Sequence, residues 1–531
     1  MEIIRTDVAI IGGGLAALMA AESIVRSGAR VALLRPGGGA SPFIHGFSLP
    51  VLPEDSAEQL LRDTLQSGCG QCRPELAETL CQGTKQIPAL LERLGIRLNR
   101  QDGKPELLRP LGASCPRVVS VGNSAGGALL NRLLKLLRAE PRFSVHSAHA
   151  ERLLSDGGRV YGAVCRNADG VPFVLSARAT VLACGGYSGI LPFTTNPADL
   201  SGSGLAMAYE AGAKLTDLEF IQFEPCVGIE PEAVRGKGIV TTMLYEGAVL
   251  RNGRGARFMR DRHPDGDHVQ KDIMARLIQE EIRTGSPAPH GGVYFDATGV
   301  GAERLRTVYG SYVARYAQCG IDLARTPVEI APAAHTALGG VRIDSSGRTS
   351  LAGLYACGEA AGGIHGANRM GGNAGLETLV FGAVTGQTVA AEWPSFSETS
   401  VKPDTSTPPC VLSAEESAHW RREMDIRIGD ALNVVRDAPQ LQRLLEWIEQ
   451  QEPVLLTLPV GGDTIALRHR MQAARLVAMA ALERRQSVGC HIRADSQPEP
   501  ARYAIEIRNE RGRPRLERKP LDEKGGNCDV S

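Results

Sequence analysis

The segment that most constrains this chain is Gly12-Gly13-Gly14-Leu15-Ala16-Ala17, which follows directly on an apolar run, Val8–Ile11. A strand that enters G-x-G-x-x-A and continues into a helical pattern, Leu15–Ser27, opens a dinucleotide-binding βαβ unit. Gly12 permits the tight turn, and Gly14 lets a pyrophosphate reach the backbone. Ala17 lets the helix lie close on the sheet, and Leu15 and Ala16 sit at the helix N-terminus that attracts an anion. Val31–Leu34 reads as the next parallel strand. A ribose-binding acid is expected at its end, but Arg35 stands there, which argues against a simple NAD enzyme.

At 531 residues the chain exceeds one ordinary core, so about three domains or one large domain with insertions are expected. Lys+Arg and Asp+Glu balance at 59 each, so no global field favours nucleic acid. No apolar stretch is long enough for a membrane span, and the first residues lead straight into a strand without an export signal, so the cytoplasm is the expected location. Cys69 and Cys72 have CxxC spacing, but no second pair accompanies them, and no metal site is expected.

Val160–Cys165 and Val171–Leu175 flank an Asn-Ala-Asp-Gly turn and read as a hairpin, and Ala179–Ala183 reads as a short strand ending at Gly185-Gly186. Ser395–Pro409 is rich in Ser, Thr and Pro and reads as a linker. Glu415–Leu432, Ala438–Gln451 and Ile465–Gln486 show helical periodicity and suggest a small bundle. The segment after Glu510 is polar and is expected to be loose.

Several further blocks stand in order. They are Thr180–Gly186, Thr194–Pro197, Ser201–Ala208, Asp217–Phe223, His335–Gly340, Gly353–Glu359 and His365–Glu377. With the opening motif they resemble the fumarate reductase/succinate dehydrogenase flavoprotein family over most of the chain, in the layout of its L-aspartate oxidase branch. The resemblance implies an α/β fold: a discontinuous Rossmann-like FAD-binding domain, an inserted α+β capping domain and a C-terminal helical bundle. The corresponding division is 1–223 and 335–395 for the FAD domain, 224–334 for the cap, 410–490 for the helices and 491–531 for a tail.

The resemblance also implies roles. Gly185, Gly186 and Asn196 lie in the family's FAD pyrophosphate region. Glu359 would hold a ribityl or ribose hydroxyl of FAD. Asn373, Ala374 and Leu376 would begin a helix whose N-terminus stabilises negative charge on the reduced flavin. Ser41 would lie near the flavin. Relatives with covalent FAD carry a histidine after that serine; Pro42 follows here, so non-covalent FAD is expected. His45 matches the linkage position poorly, though it lies near enough in sequence to face the flavin.

In the family a hydride passes between a substrate carbon and the flavin, an arginine moves the proton, and His and Arg side chains hold two carboxylates. His335 and Arg369 keep their places, and Arg369 is the expected carboxylate clamp. The alternatives are a core histidine and a structural ion pair. Other positions differ. The family's Gln-Phe-His-Pro reads Gln222-Phe223-Glu224-Pro225, and Lys271 stands where the proton-transferring arginine belongs. The Thr-Glu pair appears as Val240-Thr241, and Arg-Gly-Glu-Gly as Leu244-Tyr245-Glu246-Gly247. A carboxylate at 224 would repel the second acid group of fumarate or succinate, at a cost of several kcal/mol at about 4 Å. A substrate with one carboxylate for Arg369 and an amine or hydroxyl near Glu224 fits better.

The expected activity is FAD-dependent hydride transfer to or from a small carboxylate, an amino acid among the candidates. One alternative is a flavoprotein subunit that passes electrons to a separate iron–sulfur or other electron-transfer protein. Another is a flavin-binding homologue without catalysis.

Overall fold

The computed structural model describes residues 1–156, 158–197, 200–399, 412–458, 461–499 and 502–521. Its centre is a five-stranded sheet in the order Leu354–Ala356, Ala179–Leu182, Val8–Ile11, Val31–Leu34 and Phe143–His146, and every pairing in it is parallel. The first four of these strands are buried along their whole length, because helices pack on the sheet and the antiparallel strands Ala148–Ser155 and Val160–Asn167 also contact it. Helix Leu15–Arg26 packs on this sheet beside helix Asn373–Glu392. Gly382 and Gly386 set the spacing between these two helices: a Cβ on Gly386 would lie 2.6 Å from the Ala20 carbonyl oxygen. Strand Leu354–Ala356 therefore returns to a sheet begun near the N-terminus, after a long excursion.

That excursion contains a second hydrophobic core. A four-stranded antiparallel sheet orders Ile221–Gly228, Val328–Ala337, Val293–Asp296 and Val249–Arg251, and helix Lys271–Thr284 packs on it. The first strand is buried at every residue, and this burial fixes Glu224 in the wall between the two cores.

The anticipated hairpin is present as Val160–Asn167 paired with Pro172–Ser176. The three late helices are Ala414–Ala431, Ala438–Thr457 and Gly462–Glu483. Part of the expected linker, residues 400–411, lies outside the described residues. The expectation of a loose tail is corrected as far as Pro520. Tyr503–Glu510 and Arg513–Pro520 form a hairpin whose first strand pairs with Leu215–Thr216. Ile505 and Ile507 face the core, and Glu506 accepts a hydrogen bond from Arg73 at 2.9 Å and forms an ion pair with Arg342 at 2.8 Å. The outer strand is an edge strand, and its charged side chains keep it from pairing further. That composition made it read as a tail.

A buried ionic knot joins the late helices to the chain just before Ile221. Arg484, at the end of helix Gly462–Glu483, donates to Glu219 at 2.6 Å, and both side chains are fully buried. Its guanidinium lies 4.9 Å from the Phe220 ring centre and 4.4 Å from that of Tyr503. Arg436 donates to the Glu219 carbonyl at 2.6 Å and contacts His491 Nδ1 at 3.0 Å. No helix among the described residues is long and apolar enough to cross a membrane.

Candidate active site

A cavity of about 1190 Å³ runs from the loops of the parallel sheet to the second core. Gly12, Gly14, Leu15, Ala16, Ser41, Gly185, Gly186, Asn196, Glu359 and Ala374 line its length. Three other expected cofactor residues stand behind the lining. Ala17 is fully buried against the sheet, Leu376 belongs to the main core, and Asn373 donates to Thr64 Oγ1 at 2.9 Å.

The residues present fit a dinucleotide. Gly12 has φ +122°, and a Cβ there would lie 2.1 Å from the Ala183 carbonyl oxygen, so a side chain is excluded. Helices Leu15–Arg26 and Asn373–Glu392 both begin at glycines and carry no side-chain N-cap. Two positive helix ends thus open on one cavity, as a pyrophosphate and an electron-rich ring require. Ser41 Oγ accepts Leu15 N–H at 2.8 Å and ties the following loop to the first helix. Glu359 accepts Ala337 N–H at 2.9 Å. Burial, opposed by that hydrogen bond and reinforced by Glu377, pushes its carboxyl up to about 7. Arg35 folds over Gly13, where a Cβ would strike its side chain.

At the far end the four expected catalytic side chains meet. Lys271, first residue of its helix, donates to Glu224 Oε2, and His335 Nε2 is 3.9 Å from the same oxygen. Burial alone would raise the Glu224 carboxyl, but the Lys271 and Arg369 cations beside it hold it below the usual carboxylate range. Glu224 is therefore ionised and neutralised by its partner, not a free repelling charge. His335 is open to the cavity yet enclosed by protein. Burial depresses its imidazole to about 3, against the pull of Glu224. It is a neutral ring with Nδ1 2.7 Å from Thr195 Oγ1, rather than a core histidine.

Arg369 is 7% exposed and, among the described residues, forms no ion pair. Its Nη1 donates to the Met370 carbonyl at 3.3 Å, and its Nε has no partner. A buried guanidinium that lines a cavity with spare donors has the chemistry to bind an anion.

Val240, Thr241 and Thr242 line the cavity, whereas Leu244 is buried in the second core and Glu246 pairs with Arg304 at 2.6 Å. His45 lines the cavity too, with its ring 6.5 Å from that of Tyr312. Tyr312 and Arg315, from helix Gly310–Ala317, carry no motif signature in the sequence, and only the fold brings them here.

A glycine cradle for a dinucleotide, opening on a buried arginine that has no ion pair among the described residues, fits a nucleotide-dependent oxidoreductase. A family model described as an FAD binding domain matches residues 7–374. The L-aspartate oxidase of Caulobacter vibrioides is 36% identical over 506 residues, covering 92% of each chain. A fumarate reductase (CoM/CoB) chain of Methanothermobacter marburgensis is 31% identical over 528 residues, covering 93% of this chain and 95% of that one. Among solved structures, Sdh1 of Mycobacterium smegmatis superposes with a TM-score of 0.86 at 27% identity, covering 98% and 95% of the two chains. The chain belongs to the FAD-dependent oxidoreductase family that contains the L-aspartate oxidases and fumarate reductase flavoprotein subunits. FAD is its cofactor.

Proposed function

We propose that this protein oxidises or reduces a small carboxylate, with an amino acid as the favoured class, at an FAD held without a covalent bond. The observation that carries this reading is Arg369, buried, without an ion pair among the described residues and lining the same cavity as Glu224. Bound FAD supplies the two-electron acceptor or donor. Arg369 clamps the substrate carboxylate, and Glu224 receives an ammonium or hydroxyl group on the neighbouring carbon. Lys271 holds or returns the proton through its contact with Glu224. Neutral His335, fixed by Thr195, donates a hydrogen bond to the substrate. The unit 224–334 acts as a cap that excludes water. The relatives' names include an L-aspartate oxidase, which supports an amino-acid substrate.

The test is anaerobic mixing of the holoenzyme with a panel of amino acids and carboxylates, followed at the flavin absorbance. Bleaching by an amino acid, weakened about 100-fold in Arg369→Gln, is expected. Bleaching of equal affinity in Arg369→Gln would remove the clamp from the mechanism. Fumarate with a reduced dye should not turn over. Acid precipitation should release all the flavin into solution, because Pro42 offers no nucleophile beside Ser41.

A second reading is favoured by the archaeal relative, which is named as one subunit of a reductase. There the flavin would exchange electrons with an iron–sulfur partner on another chain. Slow reoxidation by O₂ together with a co-purifying brown protein would select it.

A further inference from the structure

The cavity holds a second set of cations that the proposed reading leaves without a task. Arg315 lines it from helix Gly310–Ala317 and donates to the Gly238 carbonyl at 2.9 Å. A Cβ on Gly238 would lie 3.9 Å from Glu224 Cγ, so this guanidinium sits one backbone segment from the catalytic carboxylate. Tyr312 lies beneath it, with its ring centre 5.2 Å from the guanidinium carbon. Arg235 and Lys237 stand exposed on the loop that carries Gly238, and both line the same cavity. Arg235 lies over the Phe193 ring at 5.0 Å, and Gly236 adjoins the Thr194 carbonyl, next to the Thr195 that holds His335. Among the described residues, none of Arg235, Lys237 and Arg315 forms an ion pair with a carboxylate, although Arg–carboxylate pairs are common elsewhere in the molecule. Uncompensated charge of one sign gathered on one wall of a cleft is held there against mutual repulsion, and a ligand of the opposite sign relieves it.

We propose that Arg315, supported by Tyr312 and by Arg235 and Lys237 at the rim, forms a distal oxyanion subsite, and that the substrate is a carboxylate extended by a tail ending in a second oxyanion. This rests on Arg369 as the clamp for the near carboxylate. The Glu224–Lys271 pair, a neighbour of both arginines, leaves the second charge of the substrate no place on the strand Ile221–Gly228 and moves it out to helix Gly310–Ala317. A carboxylate and a phosphate tail share the chemistry Arg315 reads, and Tyr312 offers a flat face to the stem between the two ends.

The experiment titrates FAD-loaded protein with butyrate, glutarate and phosphonoacetate, reading the perturbation of the flavin spectrum. The parent protein should bind at least one two-headed acid about ten-fold more tightly than butyrate, and Arg315→Gln should erase about that ratio. Preference for glutarate identifies a carboxylate tail, and preference for phosphonoacetate a phosphate-like one. Arg315→Lys should keep part of the preference, which separates lost charge from lost folding. An unchanged ratio in Arg315→Gln, or no preference in the parent, overturns the proposal. Arg369→Gln should weaken all three ligands; if it binds all three like the parent, the reading of the near clamp fails independently of Arg315.

Discussion

Lys271 and Glu224 neutralise each other on a buried wall, and this makes each dependent on the other. Lys271→Met leaves a buried carboxylate without a cation, which should cost about 3 kcal/mol of stability. Turnover should fall about 100-fold through loss of the proton carrier. Adding Glu224→Gln to that variant should recover most of the melting temperature and none of the turnover; recovery of both would show that the pair only supports the fold. Gly12→Ala belongs to the same scale. Its Cβ would overlap the Ala183 carbonyl at a backbone angle disfavoured for L residues, so the purified variant should be colourless. Both partners of the pair were legible as departures from a family pattern. Their contact was not, because it links residues 47 apart through the packing of a helix on a strand.

Among the elements, the first βαβ unit, the Val160–Asn167 hairpin and the late helices could be read from the sequence, since each announces itself by local period and turn residues. The hairpin Tyr503–Pro520 could not. Its outer strand alternates at a solvated edge and looks like a polar tail, and only pairing with Leu215–Thr216 shows its inner strand to be core. Helix Gly310–Ala317 was equally silent about function, because nothing local says that its Tyr312 and Arg315 face a cavity built by other segments. If the hairpin is structural, Glu506→Gln should lower the melting temperature, with a loss of about 3 kcal/mol, because Arg73 is left buried without its carboxylate. Flavin content at low temperature should stay near that of the parent.

For the whole molecule, acid sensitivity should be traceable to buried imidazole. Burial, with Arg436 and Arg484 beside it, holds His491 well below its ordinary value. Its folded form stays neutral while the unfolded chain takes up a proton below about 6.5, so this stabilisation is complete above that pH and declines as pH falls. The decline is about 1.4 kcal/mol per pH unit for one proton. His491→Asn should melt below the parent near neutrality, and the gap should narrow as the pH is taken to about 5; a constant gap would remove His491 from the acid response. Glu359, raised to about 7, works in the opposite sense, so the comparison between parent and variant is the informative quantity. The knot around Glu219 also bears on how the gene can be edited. A shortened version that keeps only the stretch matching the flavin-binding family would lack both guanidinium groups and strand an acid inside oil-like surroundings. The smallest expressible unit is thus nearly the entire polypeptide, and reporter fusions belong at its extremities rather than at the apparent seam before the last helices.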